Sequence, residues 1–127
     1  PLAAGHLTRR TWNSDSLRSK TDRVATGKYD KTEEPDIAIV ERVAELAGKY
    51  ECKMSQIAIA WQWMKGVTAP IIGATKASYL TDAAGAFAVP LTKADVAYLE
   101  EPYVPHPIRG PLDANPPQGV ILVNEKK

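Results

Sequence analysis

The residues of this chain best placed to do chemistry are Gly73, Thr75 and Lys76, in the run Ala69-Pro70-Ile71-Ile72-Gly73-Ala74-Thr75-Lys76. The chemistry they offer is anion binding. Pro70 suits the start of a strand and Ile71-Ile72 read as a short buried one, so residues 69–72 are expected to form a strand. Gly73 lets the backbone come close to a neighbour or a ligand, and Thr75 is a good N-cap for a helix through Ser78, Leu80 and Asp82. A strand that delivers free amide N–H groups and a lysine to the positive end of a helix is a natural cradle for an anion. The same eight residues also describe an ordinary strand-to-helix turn with an exposed lysine, and taken alone they favour that plainer reading.

A second basic feature lies upstream. Residues 8–31 are polar, with Arg9, Arg10, Arg18, Lys20, Arg23 and Lys28 set among Ser, Thr, Asn and Asp. A loop of this length inside a compact domain is uncommon and tends to be functional or mobile. These basic side chains could meet a phosphate, and a solvated loop explains them equally well. Other chemistries find little support. Cys52, His6 and His106 are too few and too scattered for a zinc site. His6 could line a pocket and His106 sits between prolines, but structural or exposed roles account for both. No G-x-S-x-G elbow, P-loop or G-x-G-x-x-G occurs, and the acids fall mostly at helix starts, where they favour the helix dipole.

The elements that must position these residues are mainly helices. Glu33, Glu34, Pro35 and Asp36 mark a helix start, and Val40, Val43, Ala44 and Ala47 then recur at helical spacing, widened by Ile39 and Leu46, up to an end marked by Gly48. Ser55 can cap a second helix reaching Lys65 and closed by Gly66, with Ile57, Ala60, Trp61 and Met64 on one face. After the strand at 69–72, a helix is expected over residues 77–87, weakened by Gly85. Thr92 and Asp95 have the spacing of a capping box for a last helix through Val96 and Leu99. From Pro102 onward the chain carries six of its ten prolines, so regular structure is unexpected there, apart from an apolar run at residues 120–123. Pro1 to Leu7 reads as the end of a buried strand entering a loop.

At 127 residues, with 44% hydrophobic and 24% charged residues, the chain reads as one globular domain. A net charge of +1 gives no electrostatic argument for nucleic acid or an anionic membrane. No apolar run reaches membrane-spanning length, and a single cysteine fits a reducing, cytoplasmic setting. The chain starts at Pro1 without an initiator Met or signal-peptide organisation, which suggests a processed or incomplete chain. The alternative to a cofactor-binding enzyme segment is a non-catalytic helical interaction module. Helices over residues 36–49 and 55–65 imitate a helix-turn-helix, but the second offers bases and phosphates only Gln56, Gln62 and Lys65 beside two tryptophans.

Several segments together resemble the aldo-keto reductase family. Pro1-Leu2-Ala3-Ala4-Gly5-His6-Leu7 looks like the family's seventh-strand segment S-P-L-A-x-G-x-L-T without its leading Ser, and Arg18-Ser19 with Thr21-Asp22 resembles the basic loop after it. Residues 39–47 resemble the helix I-V-x-x-V-x-E-L-A. Met54-Ser55-Gln56-Ile57-Ala58-Ile59-Ala60-Trp61 resembles x-S-x-x-Q-x-A-L-A-W. Residues 67–82 resemble the eighth-strand signature V-x-x-P-I-x-G-A-x-x-x-x-x-L-x-x-N, and Leu91-Thr92 and Leu99-Glu100 fit the last helix. The likeness runs in order over residues 1–110, with 111–127 as an irregular tail. Tyr103-Val104-Pro105-His106-Pro107 looks like the fungal, aryl-alcohol-reductase-like branch.

The resemblance implies an α/β fold, the C-terminal part of a TIM (β/α)8 barrel, mostly helical in this portion, with NADP(H) bound at the C-terminal ends of the strands. Carried over by position, Pro1, Leu2, Ala3 and Ala4 would contact the pyrophosphate side, and Arg10 and Arg18 would meet phosphates. Gly73, Thr75 and Lys76 would hold the adenosine phosphate. Tyr79 and Asp82 fall where a Gln or Arg and a Glu usually serve the adenosine end, and Ala83 replaces an adenine-contacting Asn. The family's Asp-Tyr-Lys-His set belongs to strands upstream of this region. The implied function is therefore part of an NADP(H)-dependent reductase of aldehydes or ketones, inactive on its own. Its expected partners are the missing N-terminal half of the barrel or a second copy of the chain.

Overall fold

A computed structural model describes residues 1–12 and 33–105 of the chain. Among these, a 3-10 turn at Ala3–Thr8 precedes α1 (Glu33–Lys49), α2 (Met54–Met64) and α3 (Ala77–Ala84). A second 3-10 turn at Gly85–Ala88 leads to α4 (Lys93–Glu100). The loop basic residues Arg18, Lys20, Arg23 and Lys28 lie outside the described residues, as do His106, the boundary at 110 and the apolar run at 120–123.

Helix α2 is the centre of the packing, in contact with α1, α3, α4 and both 3-10 turns. Its sequence explains why. Ile57 and Ile59 are two positions apart, so their side chains leave the helix about 200° apart. Both are fully buried, at 0% and 1% exposure. Ile57 and Ala60 join Val43, Leu46 and Ala47 of α1 with Leu91 and Leu99, while Ile59 joins Ala83 and Ala86. Each isoleucine contributes about 1.5–3 kcal/mol by leaving water. A helix buried on opposite faces cannot present a recognition surface, and this removes the helix-turn-helix alternative.

Helix ends follow main-chain chemistry. After α2, the Gly66 N–H donates to the Trp63 carbonyl and the Val67 N–H to the Gln62 carbonyl, with Gly66 at φ +84°. This is the Schellman arrangement expected from Gly66. Helix α1 runs past Gly48 and closes the same way around Glu51, which takes φ +50°, with the Cys52 N–H reaching the Ala47 carbonyl at 2.9 Å. The start of α2 also differs from expectation. Lys53 holds the cap position and the Gln56 side chain accepts its N–H at 2.8 Å, so Ser55 lies inside the first turn. Thr92 and Asp95 do form a capping box at α4.

Two expected strands are absent. No β-strand occurs among the described residues. A strand needs a neighbouring ladder for its N–H and C=O groups, and no described segment offers one to residues 69–72. Pro1 to Leu7 instead turns back on itself. Ala3, Ala4 and Gly5 take successive positive φ values of 47°, 53° and 102°, and the Gly5 N–H donates to the Leu2 carbonyl at 2.8 Å. The α-helix expected over 77–87 stops at Ala84 and tightens into the 3-10 turn from Gly85.

One polar cluster joins α1 to α4. Asp95 is 5% exposed. Its Oδ1 accepts from Lys49 Nζ at 2.7 Å, and its Oδ2 accepts from the Tyr50 hydroxyl, the Thr92 N–H and the Thr92 hydroxyl at 2.6, 2.9 and 2.6 Å. Burial pushes the carboxyl pKa up, but the hydrogen bonds from Lys49, Thr92 and Tyr50 outweigh it and hold the group well below the usual carboxylate range.

Candidate phosphate-binding site

The stretch that precedes α3 is open. Gly73, Ala74, Thr75 and Lys76 are all exposed, and a methyl group built on Gly73 would meet nothing within 4 Å. No neighbour therefore requires the glycine, and the space beside it is available to a ligand. Among the described residues, no main-chain hydrogen bond engages residues 68–75. Lys76, rather than Thr75, takes the cap position of α3 and makes no side-chain cap bond. Its ammonium lies 5.9 Å from the centre of the Tyr79 ring, which is 48% exposed. Amide N–H groups, a lysine and an accessible aromatic face thus share one surface at a helix start, where the dipole favours an anion.

The N-terminal turn reaches the same neighbourhood. Leu2 and Ile72 pack against one apolar cluster, that of Ile59, Ala83 and Ala86. Gln62 Nε2 donates to the Pro1 carbonyl at 3.1 Å and ties the turn to α2. Ala3 and Ala4 sit in the left-handed region that favours glycine, a strain of about 1–2 kcal/mol per residue held by the surrounding contacts. Arg10 is exposed. Its neighbour Arg9 folds inward, with Nη1 donating to the Gly5 carbonyl at 3.2 Å. His6 is buried with its ring tilted 30° against that of Trp12, at 4.2 Å between ring centres, a packing role.

Asp82, expected at the adenosine end, and Ala83, at the position of the usual Asn, are engaged elsewhere. Asp82 Oδ2 accepts from Lys53 Nζ at 2.6 Å, and the Asp82 carbonyl accepts from Gln56 Nε2 at 2.8 Å. Ala83 is 8% exposed within the apolar cluster. Leu2 and Ile72 thus share one cluster beside α2 and Lys76 lies near Tyr79, while Asp82 is engaged by the start of α2. Arg18 lies outside the described residues. The sequence reading missed Lys53 and Gln56, whose one signal was Gly85 interrupting a helical pattern. Among the described residues no group of His, Cys, Asp and Glu could hold a metal ion, and no helix is long and apolar enough to cross a membrane.

The described residues form a helical layer with an open, lysine-bearing helix start, and comparison with known proteins supplies the family. The profile of the aldo/keto reductase family matches residues 1–103, and the chain belongs to that family. It is 43% identical to a Schizosaccharomyces pombe protein provisionally named an aryl-alcohol dehydrogenase, over 88% of this chain and 31% of that protein. It is 38% identical to the versiconal hemiacetal acetate reductase of Aspergillus parasiticus, over 85% of this chain and 32% of the relative. With an aldo-keto reductase of Fusarium vanettenii the identity is 40%, over 87% and 30% of the two chains. The fungal, aryl-alcohol-dehydrogenase-like character expected from the motifs is borne out. The chain spans about a third of the length of these relatives. No solved structure matches it.

Proposed function

We propose that this chain supplies the adenosine-phosphate end of the cofactor site in an NADP(H)-dependent reductase of aldehydes or ketones, built as a (β/α)8 barrel. The observation that carries the reading is the open run Gly73–Ala74–Thr75–Lys76, whose amides at a helix start make no main-chain hydrogen bond among the described residues, with Leu2 and Ile72 packed on one neighbouring cluster. When bound, NADP(H) supplies the hydride. The residues of this chain bind and orient: Lys76 and the amides of 73–75 hold the phosphate. Tyr79 offers a face for the base to stack on, and Pro1 to Ala4 with Arg10 line the pyrophosphate side. Proton transfer to the carbonyl belongs to groups outside this chain. A cytoplasmic setting fits the single, half-buried Cys52.

In the native protein at its full encoded length, Lys76→Ala or Arg18→Ala should weaken NADPH binding by about 1–3 kcal/mol, the range for hydrogen bonds to charged groups. NADH should suffer less. Equal losses for both cofactors would remove these side chains from recognition of the 2′-phosphate. The 127-residue chain alone should not oxidise NADPH with aromatic aldehydes, and turnover above a heat-killed control would show that it holds its own proton donor.

A further inference from the structure

Helix α3, which carries the proposed phosphate contacts at its start, is poorly fixed by itself. It has eight residues, its cap residue Lys76 makes no side-chain cap bond, and Ala83 is its one buried residue. So short a helix is marginal without tertiary support. The support comes from Gln56 on α2, which uses both ends of its amide. Oε1 accepts the Lys53 N–H and Nε2 donates to the Asp82 carbonyl, each at 2.8 Å. Lys53 Nζ closes the contact on Asp82 Oδ2. The latch also depends on an absent side chain, because a methyl group at Gly85 would collide with Gln56 Nε2.

We propose that Gln56 is a positioning residue for the cofactor. It holds the last turn of α3 through Asp82 and so sets where Lys76 and Tyr79 present themselves at the first turn. Asp82 then acts through this latch and not by touching the adenosine. Gly85 is the third member, kept bare so that the amide can reach. The inference rests on the phosphate reading of residues 73–76, which Lys76→Ala tests separately.

The test uses the native protein at full length, with Gln56→Leu, Gln56→Glu, Gly85→Ala and Lys76→Ala, by fluorescence titration with NADPH, steady-state kinetics and amide hydrogen exchange. Gln56→Leu removes both bonds, and Gln56→Glu keeps the acceptor for Lys53 but loses the donor to Asp82. Gly85→Ala leaves the glutamine intact but denies it the space. All three should raise Kd and KM for NADPH about three- to tenfold, the effect of one or two hydrogen bonds, with kcat at saturating cofactor within about twofold. Exchange should quicken in α3 and stay unchanged in α4. Unchanged cofactor affinity in Gln56→Leu and Gly85→Ala overturns the proposal, and so does exchange that quickens equally throughout α1, α2 and α4, which would mark Gln56 as general scaffolding. Normal binding by Lys76→Ala beside weakened binding by Gln56→Leu would discard the lysine contact and leave the latch standing.

Discussion

Asp95 is the most heavily bonded side chain of the described residues, and its acid titration has a definite sign. Its pKa is lowered on folding, so its stabilisation is complete above the unfolded-state value of about 3.9 and is lost progressively as pH falls from there towards the folded value. Asp95→Asn should cost about 1–3 kcal/mol at pH 7, since the capping bonds and the Lys49 contact go together. The cost should shrink in unfolding titrations carried below pH 4. A penalty constant across that range would mean that charge is not the source. Asp95 and Thr92 were legible from spacing alone, because a capping box is a local pattern. Lys49 and Tyr50 were not, because they come to Asp95 from 46 and 45 positions away.

The ends of α1 show where element-scale reading succeeds and fails. The stripe of Val40, Val43 and Ala47 identified the helix, since periodicity reports the buried face directly. Gly48 misplaced its end, for the residue that takes the left-handed conformation is Glu51. Gly48 lies inside the helix with nothing within 4 Å of a methyl group built on it. The two positions are thus each occupied by the residue that suits the other. Gly48→Ala should stabilise by about 1 kcal/mol, and Glu51→Gly by about 0.5–1 kcal/mol once the relief of strain is set against the greater freedom of the unfolded chain. Thermal unfolding of the double variant should show near-additive gains. A loss at Glu51→Gly would mean that its side chain holds the turn. Residues 69–72 failed for a different reason. A strand is a property of a pair, and no single-segment pattern reveals whether the pair is present.

At the scale of the whole molecule, the apolar surface is uneven. Ile71 is 87% exposed, Phe87 79% and Leu80 57%, all on or next to the side of α2 that carries α3. Such surface usually marks an interface, and the unengaged main chain of 68–75 lies beside it. The isolated 127-residue chain should therefore self-associate, pair with a supplied N-terminal barrel half, or stay partly molten. Sedimentation at micromolar concentration, with thermal unfolding, checks this. A sharp transition from a species of monomer mass, unchanged by concentration, would contradict it. The family was legible because its motifs recur in order along the chain, whereas the covering of this face depends on residues that no motif here contains.

The ring of Trp63 stacks on Phe87 at 4.4 Å between centres and packs against the cluster that also holds Leu2 and Ile72. Trp61, two positions away, instead donates to a Glu100 carboxylate oxygen at 2.9 Å on the side facing α4. Trp61 and Trp63, two of the chain's three tryptophans, therefore sit in unlike optical surroundings, one polarised by a carboxylate and one stacked on Phe87. Reordering of residues 69–76 alters the neighbours of Trp63 and leaves those of Trp61 in place. With Trp12 replaced by Phe, Trp63 should report on residues 69–76 against Trp61 as its reference, read from intrinsic emission without any label.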